Sequence, residues 1–427
     1  MKKVAFFLDN VGFVSTDCSN ALNGNPGIGG TEWLFIVVST LLSKRDNEID
    51  IILYITKSGK FLDGLMTKVV RDISEAITIA DAEGVDYLVV KHLATNITEQ
   101  RLNIKTQKLR IICWCHVFVC HWELDYYASN DVVSKIVFVG KEMYDLYRDH
   151  RIFNKAVYIY NCIESCDAVE LVVRNPYEKR RNAIVYVGSL VPYKGFHLLA
   201  EAWPEVLEHF PDAELFVIGS GKLYDEKSKL GDWGIAESEY EAMFMKNFII
   251  HGRLHPNVHF LGLLGDEKKD ILLKAKIGVP NPSGITETFC LSAVEMQMYG
   301  CRIATINYPG YMDTVKNGTL YSRRDELAKT IIDLLNSSEN NYDASMDYFK
   351  REFSYESVSK RWEELIHSGE LECNGTMSNS LYRLKWLKEM LRVLKRHLPF
   401  LYCLPMVERG LIYLERKRKG RVTYIDS

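Results

Sequence analysis

The chain has 427 residues, of which 47% are hydrophobic and 26% charged, with a formal net charge of -3. That length suits two or three domains with sizeable cores, the composition is that of an ordinary soluble globular protein, and the near-neutral charge leaves no basic footprint for nucleic acid. Ten cysteines without tandem C-x2-C pairs fit neither a zinc scaffold nor a small disulfide framework, and no stretch approaches the ~20 apolar residues that span a bilayer.

Residues 4–8 read as a buried first strand, and Asp9 ends the run too early for the apolar region of a signal peptide. Free thiols and no leader point to a reducing cytoplasm, which makes the N-x-[ST] sequons at Asn96, Asn317 and Asn374 incidental. A polar segment then ends in Gly27-Ile28-Gly29-Gly30-Thr31-Glu32, and residues 33–42 are apolar over a helix length. Strand, glycine loop and helix make a phosphate-binding arrangement, because glycine lets the backbone approach an anion closely. The spacing is not G-x-G-x-x-G, so a loop of turn glycines is the plainer alternative.

Further strands are expected at residues 49–56, 87–90 and 109–115, alternating with helical or loop segments as in a parallel sheet. Residues 111–122 gather Cys113, Cys115, His116, Cys120 and His121. No second pair completes four ligands, so these thiols read as small core residues and no metal is expected. His116 falls at a strand end on the ligand face. It is either a site residue or a core histidine, with His121 as the alternative. A strand–helix unit at 136–149 and a strand at 157–160 close the first half.

The second half restarts the pattern. A strand at 183–187 runs into Gly188-Ser189-Leu190-Val191-Pro192-Tyr193-Lys194-Gly195, a turn carrying one cation. An amphipathic helix at 196–210 and a strand at 214–218 follow, then an insertion with one helix at 231–256. A strand at 258–261 leads to Gly262-Leu263-Leu264-Gly265, and a helix covers 266–274. The apolar run 277–280 is broken by Asn281-Pro282-Ser283-Gly284, after which Phe289, Ala293, Met296 and Gly300 recur at helical spacing. Glu287 therefore sits in a loop at the carboxyl end of a strand and Glu295 on the helix, about two turns in. Ligands of open α/β sheets bind at such ends, and a helix N-terminus there favours a phosphate. Two carboxylates beside a phosphate suit sugar hydroxyls rather than the phosphate itself. Two solvated helix glutamates are the bland alternative. A strand at 302–306, a turn and helix at 308–315, and a helix at 353–366 with Tyr355 and Trp362 complete the core.

Glu287 and Glu295 form an E-x7-E pattern, and with the strand, turn and Lys194 the chain resembles retaining glycosyltransferases of family 4, within the group 1 glycosyltransferases. The resemblance covers residues 4–366. It implies an α/β chain of GT-B fold, with two Rossmann-like parallel-sheet domains facing each other across a cleft. The domains would be 1–164, a hinge at 165–182, a nucleotide-sugar domain at 183–350, a helix at 351–368 crossing back, and a basic tail at 369–427. Residues 188–195 resemble the family's G-R-x4-K-G segment, with Lys194 in place and Ser189 where the arginine stands. Asn161-Cys162-Ile163 resembles N-G-[IV], with cysteine for glycine, and Pro309-Gly310-Tyr311-Met312-Asp313 echoes only the tail of G-G-x-x-E.

By this resemblance the donor diphosphate rests on Gly29, Gly30, Lys194 and the helix start at Thr288, Phe289 and Cys290. Leu263 meets the base, Glu295 holds the ribose and Glu287 the sugar. Glu287, His116 and Lys194 are the implied catalytic residues. The implied activity is retaining hexosyl transfer from a UDP- or GDP-linked sugar to a glycan or lipid-linked saccharide, in cell-surface polysaccharide synthesis. No D-x-D motif stands at a strand end, so neither metal nor other cofactor is expected. Other readings are an epimerase or phosphorylase on the same fold, or, given Ser189, an inactive sugar-nucleotide-binding subunit.

The tail at 381–421 lies outside the resemblance. Leu384, Leu387, Leu391 and Leu394 repeat at helical spacing among Lys385, Lys388, Arg392, Lys395 and Arg396, and Arg416-Lys417-Arg418-Lys419 follows two prolines. Such a helix either lies on an anionic membrane surface or packs on the domain with its basic face in water. The first alternative would make the protein peripheral on the inner face of the membrane.

Overall fold

The computed structural model describes residues 1–45, 48–92, 106, 108–164, 167–221, 229–373, 385–404, 406 and 407. Asn96, Asn374 and the basic run at 416–419 lie outside them. The chain forms two compact units, Met1–Cys162 with Glu352–Ser427, and Ile163–Arg351.

In the first unit the strands are β1 (Lys2–Leu8), β2 (Ile49–Ile55), β3 (Met66–Val69), β4 (Tyr87–Lys91), β5 (Arg110–Cys115), β6 (Val133–Phe138) and β7 (Ala156–Tyr158). They form one sheet in the order β3-β2-β1-β4-β5-β6-β7. Every pairing is parallel. Central strands of such a sheet are covered on both faces, which is why β1 and β5 are apolar runs without alternation. The edge strand β3 was not legible in advance: it has only four residues, with Met66 and Val69 exposed and no buried face to set an apolar alternation.

Helix Gly30–Arg45 is buried along most of its length. Phe35 meets Phe6 edge-on at 6.1 Å between ring centroids, and Trp114 and Trp362 meet at 5.0 Å. Trp362 belongs to helix Tyr355–Ser368, which starts where Ser354 Oγ accepts the Ser357 N–H at 3.2 Å and stops at Gly369 in the left-handed region, φ 72°.

The second unit repeats the plan. Its strands are β8 (Ala183–Val187), β9 (Glu214–Ile218), β10 (Ile249–Ile250), β11 (Arg253–Leu254), β12 (Val258–Gly262), β13 (Ile277–Gly278), β14 (Arg302–Ile306) and β15 (Gly318–Tyr321). β10 and β11 make a small antiparallel pair, and the rest form a sheet ordered β12-β9-β8-β13-β14-β15. That sheet is wholly parallel. Phe196 anchors its core, packing on Tyr186 at 4.9 Å and Phe244 at 5.0 Å between centroids.

Both sheets are thus Rossmann-like, and the α/β class expected from the sequence is what forms. In each, the chain runs outward from the first strand, returns, and continues on its other side. The order reverses between β1 and β4 in the first unit and between β8 and β13 in the second. Such reversals leave a crevice beyond the strands' carboxyl ends where ligands bind.

Candidate active site

In the second unit, residues leaving β8 and β13 converge at the reversal. After β8, Pro192–Lys194 makes a single 3-10 turn closed by Gly195 at φ 69°. A Cβ on Gly195 would lie 2.7 Å from the Ser283 nitrogen, so glycine is required both by the dihedral and by the close approach of the loop after β13. Ser283 Oγ fastens that approach, donating to the Tyr193 carbonyl at 2.5 Å and lying 2.7 Å from Asn281 Oδ1.

The consequence is a charged cluster. Lys194 Nζ lies 3.0 Å from Glu287 Oε2, with the two side chains only 19% and 12% exposed. Asn281 Nδ2 donates to the same oxygen at 2.9 Å. The residue before the glutamate, Thr286, sits at φ 62°, a strained setting for a β-branched side chain. The Glu287 carbonyl accepts the Gly310 N–H at 3.2 Å, and a Cβ on Gly310 would stand 2.6 Å from that oxygen. Tyr308 is pushed up to about 12, first by burial and then by the Glu287 charge, so it remains a phenol.

The helix after this loop is Leu291–Met298. Glu295 therefore lies little more than one turn in, nearer the N-terminus than its sequence position suggested. Its Oε1 is 2.8 Å from Lys268 Nζ. Thr288, Phe289 and Cys290 are buried ahead of the helix, and burial pushes the Cys290 thiol up to about 12. What Cys290 can offer a ligand is backbone, not thiolate. Leu263 follows Gly262 at the end of β12 and is 63% exposed. Ser189 is buried, its Oγ donating to the Ser220 carbonyl at 3.2 Å. That hydroxyl is spent on the loop.

The structure therefore joins Lys194 to Glu287 and gives Glu295 a separate lysine. Asn281, Ser283 and Lys268 were not singled out from sequence. The first two resemble ordinary strand breakers and the third an exposed helix cation. Only the fold brings them to the glutamates.

In the first unit, Gly29 and Gly30 stand at the start of helix Gly30–Arg45, with the Gly29 carbonyl accepting the Trp33 N–H at 2.9 Å. A Cβ on Gly29 would lie 2.1 Å from Glu32 Oε2, because the Glu32 carboxylate folds back over it. Glu32 Oε1 is 2.7 Å from Lys91 Nζ. Beside them a cleft of about 610 Å³ opens at the ends of β1, β2 and β4, lined by Asp9, Thr31, Glu32, Lys57, Arg71 and Lys91 among others. Gly29, Gly30 and His116 are not part of that lining. His116 follows β5, its ring 4.6 Å from that of Trp114. Burial first, and then the Lys91 charge, push it down to about 3, so the imidazole is neutral near pH 7.

A second histidine cluster could hold a cation by proximity alone. Donor atoms of His121, Asp125 and His150 lie within 4.8 Å of one another. The chemistry is wrong for one. His150 Nδ1 accepts the Ile152 N–H at 3.1 Å, which leaves the ring proton on Nε2, the nitrogen 3.4 Å from Asp125. Arg151 Nη2 already stands 2.8 Å from the same carboxylate.

Comparison with known proteins bears on this arrangement. The family model described as Glycosyl transferases group 1 matches residues 170–352, the stretch carrying Lys194, Glu287 and Glu295. A relative from Haemophilus influenzae, described as an uncharacterized glycosyltransferase, is 22% identical over 398 residues, 86% of this chain and 100% of its own length. Among solved structures, Anabaena HepE in complex with UDP-glucose superposes with a TM-score of 0.58 at 14% identity, over 86% of this chain and 100% of that one. A glycosyltransferase from Rickettsia africae gives 0.62 at 13% identity, over 86% and 99%. Sucrose-phosphate synthase from Thermosynechococcus elongatus gives 0.60 at 12%, over 86% and 98%. At these identities the structural likeness speaks to the GT-B type of fold.

Proposed function

We propose, from the premise that residues 170–352 form a glycosyl transferases group 1 domain, that the chain transfers a hexosyl unit from a nucleotide-diphospho-sugar with retention at the anomeric carbon. The observation that carries this is the Lys194–Glu287–Asn281 cluster at the strand-order reversal of the second sheet. A donor of this kind needs a cation for its pyrophosphate and acceptors for its sugar hydroxyls, and the cluster offers one of each. Lys194 meets the leaving phosphate as a point charge, beside the amides of Thr288, Phe289 and Cys290 at the helix start. Glu287 accepts sugar hydroxyls. Glu295, held by Lys268, accepts those of the ribose. Leu263 lies against the base.

The leaving phosphate oxygen takes the acceptor proton on the face it departs from. No second carboxylate is needed, and catalysis is positioning plus charge stabilisation. Lys194 supplies the positive charge that a divalent ion would otherwise bring, so the reaction proceeds without metal. The co-crystallised UDP-glucose of the Anabaena relative favours a UDP-linked hexose. The acceptor is a glycan or lipid-linked saccharide destined for cell-surface polysaccharide. The first unit is the acceptor side, and its cleft lined by Asp9, Thr31, Glu32, Lys57, Arg71 and Lys91 holds the acceptor. The described cysteines are free, and no helix among the described residues is long and apolar enough to cross a membrane. We place the chain in the cytoplasm, peripheral on the membrane's inner face.

A thermal-shift screen against UDP-, GDP- and ADP-sugars tests the donor. A ligand at 100 times its Kd adds about 2.7 kcal/mol to the native state. UDP-glucose is expected to raise Tm, and Lys194→Ala to abolish the rise. A screen in which no sugar nucleotide moves Tm overturns the reading. The buried Ser189 favours one alternative, a binding subunit without transfer. Calorimetric binding of UDP-glucose with neither transfer nor hydrolysis would decide for it.

A further inference from the structure

Helix Lys385–His397 is docked on the first unit the wrong way round for water. Arg392 and Lys395, three residues apart and so on one face, are 8% and 4% exposed. Met390 and Leu394, on the opposite face, are 51% and 49% exposed, with Val393 and Leu391 beside them at 46% and 36%. Leu404, in the segment after the helix, is 51% exposed.

The orientation is fixed by a buried ion pair. Lys395 Nζ lies 3.1 Å from Asp149 Oδ2 and donates to the Leu404 carbonyl at 2.9 Å. The same Asp149 oxygen accepts the Val407 N–H at 2.8 Å. Asp149 is wholly buried. Reversing the helix to bury its leucines would expose the cations and strand that carboxylate, so the apolar row is held outward. A row of large aliphatic side chains fixed in water marks a surface that something else covers.

Charge decides the occupant. Apart from the inward-facing Arg392 and Lys395, the helix carries Lys385, Lys388 and Arg396 against one acid, Glu389, a net +2. Residues 408–427 add six cations against three acids. A second copy seated on this face would bring two such basic segments together, whereas an anionic bilayer neutralises them while taking up the apolar side chains. We propose that the face formed by Met390, Leu391, Val393 and Leu394 inserts, together with Leu404, into the interface of an anionic lipid bilayer, the Asp149–Lys395 pair acting as the peg that presents it. The inference deepens the peripheral placement proposed above by naming the inserting face, and is independent of the donor.

The test is co-sedimentation of the full chain with phosphatidylcholine vesicles, with and without phosphatidylglycerol. It compares wild type, the double variant Met390→Asp/Leu394→Asp, and Leu404→Asp alone. All replaced side chains are exposed, so folding is retained and checked by circular dichroism and Tm. Wild type is expected to pellet with phosphatidylglycerol vesicles and far less with phosphatidylcholine, and the double variant to lose about tenfold or more of the binding. The proposal is overturned by a wild type that stays in the supernatant, by a double variant that pellets as wild type, by equal binding to both vesicle types, or by a wild-type dimer that the double variant dissociates. The UDP-glucose thermal shift is read on the same samples. Its survival in a variant that has left the vesicles separates the two readings, as does its absence in a wild type that binds them.

Discussion

Glu287 Oε2 is shared by two donors, Lys194 at 3.0 Å and Asn281 at 2.9 Å. Each does a different job. On the proposed function the ammonium turns to the donor's pyrophosphate and leaves the carboxylate partly free, while the amide holds the carboxylate in place. On the proposed function, Glu287→Ala removes the sugar's acceptor and is expected to cut kcat more than ~10²-fold, the scale of one lost transition-state contact. Asn281→Ala keeps the carboxylate and loosens it, so a smaller fall is expected, with KM little changed. Glu295 is expected to behave differently. On the proposed function its contact is to the ribose, which does not react, so Glu295→Ala should raise KM for the donor about tenfold, the value of one charged hydrogen bond, with kcat nearly intact. Steady-state kinetics on the purified chain separate these cases. Wild-type parameters in both glutamate variants would make the pair structural.

At the scale of elements, the site depends on two backbone segments meeting where a side chain cannot fit. Gly195 combines φ 69° with a Cβ position 2.7 Å from the Ser283 nitrogen. Gly195→Ala should therefore lower stability by about 1–3 kcal/mol and weaken donor binding together, because the turn carrying Lys194 can no longer seat on the loop carrying Glu287. Urea unfolding and calorimetry measure the two. A stability loss with unchanged donor affinity would detach the turn from the site. Much of this level was legible in the sequence. Lys194, Gly195 and the glutamates stood out because turn glycines, a lone cation and helical spacing are local signals. The Lys194–Glu287 pairing is not local: 93 residues separate the partners, and only the strand order brings them together. β3 escaped notice because an exposed edge strand lacks an apolar pattern. The tail shows the limit of periodicity most sharply. Its leucine spacing marks an amphipathic helix, but which face turns inward is set by Asp149, more than two hundred residues earlier, through the Lys395 contact.

Across the molecule, two sheets of the same strand order carry unlike chemistry at their reversals, and burial depresses histidines in both, His197 in the second unit among them. His116 and His150 both belong to the first unit and are both held neutral, His116 near 3 and His150 near 4, in each case chiefly by burial. An unfolded histidine takes up its proton near 6.5, so as pH falls below that value the unfolded chain binds protons that the folded chain refuses. The stabilisation is whole above about pH 6.5 and is lost progressively down to the folded values. Urea unfolding at pH 7.0, 6.0, 5.0 and 4.5 should then show a declining midpoint at constant slope, beyond what carboxylate titration contributes at the lowest point. His150→Asn is the informative variant. An asparagine at this position can still accept the Ile152 N–H that His150 Nδ1 now takes at 3.1 Å, but it cannot titrate. Its midpoint should fall less than wild type between pH 7.0 and 5.0. Parallel declines in the two proteins would mean that His150 gains its proton without cost in the fold.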